Sequence, residues 1–141
     1  LDADSRHRSI YLTVKRSKLI PTLQLFDTPD PLQCVGSRQT TTVAPQSLML
    51  LNDERVHKYA QSFANRIAGC SGRQGDESIR EGFMIALARP PHQHELNKMK
   101  SMIGRQQALY AQHETEKDAQ RRALSDMCHL LMCLNEFVYV E

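Results

Sequence analysis

Two aspartates in a proline-rich turn, Asp27 and Asp30 within Phe26-Asp27-Thr28-Pro29-Asp30-Pro31, are the first residues whose type and spacing can do chemistry. Carboxylates this close can hold a cation or divide acid and base roles between them. In a turn of this composition their commoner role is to accept hydrogen bonds from neighbouring backbone amides. Downstream, Arg38 and the hydroxyls of Thr40, Thr41 and Thr42 stand just before Pro45 and Gln46, where a helix is expected to open. The free N–H groups of a helix start favour an anion, and Arg38 adds positive charge. The competing assignment makes Thr42 the helix cap and Arg38 the ionic partner of Asp27 or Asp30. The candidate binding set is Asp27, Asp30, Arg38, Thr41, Thr42 and Gln46, and no catalytic residue is assigned.

Other constellations are weaker. His92 and His94 beside Glu95 invite a metal, but residues two apart on a helix point to different sides. Cys128, His129 and Cys133 fall in an apolar stretch where cysteine serves as a small buried hydrophobe. Cys34 and Cys70 can pair in an exported chain, though nothing local forces it. The sequence holds no Gly-x-Ser-x-Gly, no His-Glu-x-x-His, no Gly-x-x-x-x-Gly-Lys and no Cys-x-x-Cys. It therefore signals no nucleophile elbow, zinc-protease helix, phosphate loop or redox pair. No metal or cofactor is expected, and covalent haem attachment through Cys-x-x-Cys-His is excluded within this chain.

These residues must be positioned by helices. Ile10, Leu12 and Val14 alternate with polar neighbours, which reads as a short extended segment, with a helix over Arg8–Lys18 as the alternative. Pro21 suits the first turn of a short helix over Thr22–Phe26, and the prolines that follow forbid its continuation. Pro45 suits the start of a helix with Leu48, Leu51 and Met49 inward. Asn52 or Asp53 can cap a continuation carrying Val56, Tyr59, Phe63 and Ile67, as one kinked helix or two. Gly69, Gly72 and Gly75 mark a loop. Asp76 can cap a helix with Ile79, Phe83, Ala86 and Leu87 on one face, ended by Arg89-Pro90-Pro91. His92 through Glu95 has the shape of a capping box. It opens a helix with Leu96, Met99, Met102 or Ile103, and Tyr110 in one stripe. After a polar break at His113–Glu116, Ala119, Ala123, Leu124, Met127, Leu130, Leu131 and Leu134 form a wide apolar face. Phe137 to Val140 is an apolar tail expected to dock on the bundle.

The expected fold is all-α, a single bundle of about four to five helices with a long ordered loop near the N-terminus. Residues 1–43 form the irregular segment and 44–141 the helical core of one domain. At 141 residues the chain is long enough to bury a real core. A net charge of +2 is too mild to argue for nucleic acid. No apolar run approaches the ~20 residues that span a bilayer.

The blocks Arg8-Ser9-Ile10-Tyr11-Leu12, Phe26-Asp27, Pro29-Asp30, Thr41-Thr42-Val43-Ala44-Pro45-Gln46 and Leu51-Asn52 together resemble a planctomycete-type domain of unknown function. So do Ala86-Leu87-Ala88-Arg89-Pro90-Pro91 with Glu95, and the ending Leu130-Leu131 through Asn135-Glu136-Phe137-Val138-Tyr139-Val140. The resemblance implies a domain that follows cytochrome-c-like domains in long exported proteins, with this chain as its C-terminal half. Two positions depart from the pattern: Ala88 stands where glycine is usual, and His92 where a small polar cap is usual. No catalytic residue carries over. The resemblance thus implies a non-enzymatic interaction or scaffold module of a cell-envelope or periplasmic protein, with a protein partner or neighbouring domains. The alternative is a fragment of a hydrolytic enzyme using Asp27 and Asp30 with Arg38.

Overall fold

A computed structural model describes residues 9–11, 13, 15, 19–29, 36, 41, 44–69 and 75–139. It is all-α, and by its internal contacts the chain divides into two compact units, Leu1–Gln46 and Ser47–Glu141. In the first unit Ser9–Tyr11 forms a single 3-10 turn where the alternation predicts extended chain, and Ile10 and Tyr11 are exposed. Helix α1 is Pro21–Leu25, with Pro21 in the first turn as its fixed φ favours. Its end is a Schellman motif: Thr28 N–H reaches Leu23 O at 3.0 Å and Asp27 N–H reaches Gln24 O at 3.2 Å. That motif puts Asp27 at φ 55°, a left-handed position usually taken by glycine.

Helix α2 is Ala44–Asn52 and α3 is Glu54–Gly69, so the apolar run and its continuation are two helices. Asp53 makes the break. Its carboxylate accepts the Arg55 N–H at 2.7 Å and pairs with the Arg55 guanidinium, which holds its pKa below the usual range. The expected inward face of α2 is not the one observed. Leu48 and Leu51 are exposed, while Gln46 is buried because its amide has backbone carbonyls to satisfy.

In the second unit α4 (Asp76–Leu87), α5 (Gln93–Tyr110), α6 (Glu116–Met132) and the short α7 (Asn135–Val138) follow α3. Helix α6 is the central element, packing most extensively on α5 and α3 and also touching α4 and α7. Its buried stripe is Ala119, Ala123, Met127, Cys128 and Leu131, and that of α3 is Val56, Ala60, Ala64 and Ile67. Residues four apart on a helix share a face, and the alanines let the two backbones approach closely. Tyr59, expected inside, is exposed, and Ala60 takes its place on the inner face. Phe83, Ile79 and Leu96 close the core from α4 and α5. Gly82 permits this approach, since a Cβ there would lie 3.1 Å from Met127 Cε and 3.3 Å from Leu131 Cδ1. Each large side chain so buried stabilises the fold by about 1.5–3 kcal/mol.

The helix ends follow from local chemistry. Gly75, at φ 69°, precedes α4, and Asp76 is the first helical residue, paired with Lys100 on α5. Thr115 caps α6 by accepting the Asp118 N–H at 3.3 Å. Ala88 follows α4 at φ 55°, and the two prolines after Arg89 turn the chain into α5.

Candidate functional site

The structure places the candidate residues in three settings. Among the set read from sequence, Asp27, Thr41 and Gln46 come together inside the first unit. Asp27 accepts the Thr41 N–H at 2.6 Å and the Thr41 hydroxyl at 2.8 Å. The buried Gln46 amide donates to Leu25 O at 2.9 Å and Thr41 O at 3.0 Å. Together they clasp the end of α1 to Thr41 and Gln46. Asp30, Arg38, Thr42 and the proposed disulfide pair Cys34 and Cys70 lie outside the described residues.

The second setting has no ionic signature in the sequence. Arg89 sends Nη1 and Nη2 to the Glu95 carboxylate, both at 2.9 Å, and Nε and Nη2 to Glu136 at 2.6 and 2.7 Å. Its guanidinium also lies 5.6 Å from the centroid of the Phe83 ring. Glu95 in turn accepts the His92 N–H at 2.7 Å, supplying its half of the expected capping box. One arginine thus ties the α4–α5 connection to α5 and α7. The two bidentate pairs, Glu136 foremost, push the arginine pKa up, while Arg89 holds Glu95 down at about 2 and Glu136 below the usual range. His94 is exposed, and the described residues contain no group of three or more metal-ligating side chains.

The third setting is an open groove of about 610 Å³ running along α3 and α6 with Tyr110 of α5 at its side. Helix α3 contributes His57, Gln61, Ala64 and Asn65, and α6 contributes Asp118, Arg121, Arg122, Ser125, Asp126 and His129. Two contacts fix the register. The His57 and His129 rings lie 4.1 Å apart, and eight residues forward on α3 and back on α6, Arg121 Nε donates to Asn65 Oδ1 at 2.8 Å. The helices are therefore antiparallel, with Gln61 and Ser125 opposite one another midway.

Most chemically capable groups in the groove are spoken for. The Tyr110 hydroxyl donates to Asp126 Oδ2 at 2.7 Å, and that bond, with burial added, pushes the phenol pKa up. Arg122 pairs with Glu114 and stacks 4.5 Å over the Tyr110 ring. The Thr115 hydroxyl donates to Asp118 at 2.6 Å. His129 Nε2 lies 2.9 Å from Leu50 O, where it donates to a carbonyl in the last turn of α2. Cys128 is fully buried one residue away, and desolvation pushes its thiol up to about 12, so it is inert as a nucleophile. The sequence carries the signal for this groove as polar residues at helical spacing beside each apolar stripe. It does not carry the register that brings the two polar stripes together.

Residues 2–103 match the family model described as PSD1, Protein of unknown function (DUF1553). The match ends within α5, so α6, α7 and the C-terminal signature read at Leu130–Val140 lie beyond it. No curated protein and no solved structure matches the chain.

Proposed function

This chain belongs to the DUF1553 family of proteins of unknown function, and on that premise we propose that it is a non-enzymatic helical interaction module, with the α3–α6 groove as its docking surface. The observation that carries this reading is how the groove's reactive side chains are used. Asp126, Asp118 and His129 are each bonded to a hydroxyl or backbone carbonyl of the fold itself. That arrangement presents a shaped polar surface instead of a nucleophile held by a base. The Asp27 clasp is built the same way, with both carboxylate oxygens on Thr41. The proposal includes a cell-envelope location and a cytochrome-c-like neighbouring domain as partner, supported by the sequence blocks that carry the family resemblance.

Amide chemical shifts of the labelled chain, recorded while a cytochrome-c-like domain is added, test this directly. Changes clustered at His57, Gln61, Asn65, Arg121 and Ser125 are expected. Changes confined to other faces, or none at all, would remove the groove from the proposal. Hydrolysis of an envelope polymer by the wild-type chain, lost in Asp27→Ala, would replace the module with an enzyme.

A further inference from the structure

The groove is not uniformly satisfied, and its unused capacity has a direction. Arg121 spends only Nε, on the neutral Asn65 amide oxygen. Among the described residues its two Nη nitrogens, the Ser125 hydroxyl and the Gln61 amide have no other partner. Of the groove's acids, Asp126 accepts one bond from the Tyr110 hydroxyl and Asp118 one from the Thr115 hydroxyl, and Arg122 is taken by Glu114 and Tyr110. What is left is a guanidinium with its end-on fork open, followed toward His57 by two neutral hydrogen-bonding side chains, Ser125 and Gln61.

We propose that this groove binds a short extended peptide segment through a carboxylate held end-on by Arg121, with Gln61 and Ser125 bonding the peptide backbone behind it. Three physical points support this occupant. Arg presents two parallel N–H groups that match a carboxylate, and the Asn65 bond already fixes the plane of the fork, so less side-chain entropy is lost on binding. An amide and a hydroxyl both donate and accept, as a peptide unit requires. The eight helical steps of α6 from Arg121 to His129 span about 12 Å. An extended chain covers that length in about three to four residues at roughly 3.3 Å each. The inference rests on the docking reading of the groove and names the chemistry of its ligand.

The test uses the whole chain and three acetylated tetrapeptides of alanine: one with a free C-terminus, one amidated, and one amidated but ending in aspartate. Binding is read by the shifts of the Arg121 side-chain and Ser125 amide signals. The free-acid or the aspartate peptide is expected to bind at least tenfold more tightly than the amide, and which of the two does so identifies a chain terminus or an acidic side chain as the source. Arg121→Gln should abolish the preference, and Arg121→Lys, which keeps the charge and loses the fork, should reduce it severalfold. Circular dichroism of both variants should match the wild type. Equal binding of all three peptides, an unchanged preference in Arg121→Gln, no binding, or inorganic phosphate competing as strongly as its own concentration would allow for a bare anion site each overturn the inference. If the peptides fail while a protein domain still shifts the groove, the docking reading stands and only the carboxylate is lost.

Discussion

Two arginines in the second unit do opposite things with the same side chain. Arg89 uses all three guanidinium nitrogens on two carboxylates and lays its face near Phe83. Arg121 gives one nitrogen to a neutral oxygen and leaves the rest of its fork open. Arg89 sits where three chain segments meet, the end of α4, the start of α5 and α7, and it is 30 % exposed. Arg121 sits on an exposed seam between two helices already packed through alanines. A saturated guanidinium fixes architecture, and the open fork of Arg121 is what the proposed carboxylate site would use. The difference separates structural from available charge without reference to any motif.

The largest expected effect comes from breaking the saturated arginine. Arg89→Ala should destabilise the chain by about 2 kcal/mol, toward the low end for charge-assisted bonds because the site is partly open to water. Thermal unfolding reads the loss, and a double-mutant cycle with Glu95→Gln should return a coupling energy. Acid provides a second reading of the same bond. Glu95 titrates at about 2 in the folded chain against an ordinary 4.5. Its folded pKa is depressed, so its contribution is complete above pH 4.5 and is lost as pH falls through about 2. The wild-type melting temperature should therefore drop steeply over that window, and Arg89→Ala should flatten the drop. An acid profile identical in both proteins would show that Arg89 is no more structural than Arg121.

A smaller effect of opposite sign lies one residue earlier. Ala88 holds φ 55° with a methyl group that can bond nothing in return, whereas Asp27 holds the same φ and uses its carboxylate on Thr41. Glycine relieves the left-handed strain at either place by about 1 kcal/mol. Ala88→Gly should stabilise the chain by roughly that amount. Asp27→Gly should gain nothing or lose stability, because the same change removes the carboxylate's bonds to the Thr41 amide and hydroxyl. Denaturant midpoints at constant slope measure both. A gain at Asp27 as large as that at Ala88 would show that the Thr41 clasp contributes little.

How far the sequence can be read follows the same division between local and long-range causes. Helix starts at Pro21 and Pro45, the ending of α4 at Arg89-Pro90-Pro91, the polar break at His113–Glu116 and most of the α6 stripe are legible, because each depends on residues within a turn or two. One helix or two at Asp53 stays open in the sequence, and Leu130, expected on the α6 stripe, is exposed. The inward face of α2 is misread for a physical reason: apolar periodicity points to Leu48 and Leu51, but a buried amide with two carbonyls to satisfy takes the inner position instead. The departure from glycine at Ala88 comes from the family resemblance alone, and the positive φ that gives it meaning comes from the structure. Asp27 and Thr41 belong to one candidate set and are in fact bonded, although Arg38, the partner expected for Asp27, lies outside the described residues. The Arg89–Glu136 pair and the Asn65–Arg121 seam join residues 47 and 56 positions apart. Neither has a local signature, so the groove cannot be assembled before the helices are paired.

The smallest stability effect is also the one that decides whether the contrast between the arginines is functional. Arg121→Ala removes a single bond between two exposed side chains, and such contacts contribute little because water replaces them. Its unfolding free energy should stay within about 0.5 kcal/mol of wild type, against the loss of about 2 kcal/mol at Arg89. The paired measurement is carboxylate binding at the groove, which Arg121→Ala should abolish and Arg89→Ala, at a temperature where it remains folded, should leave unchanged. An Arg121→Ala variant as unstable as Arg89→Ala would make the seam a second architectural tie. The open fork would then be the unused half of a structural bond, and the carboxylate site would lose its physical basis.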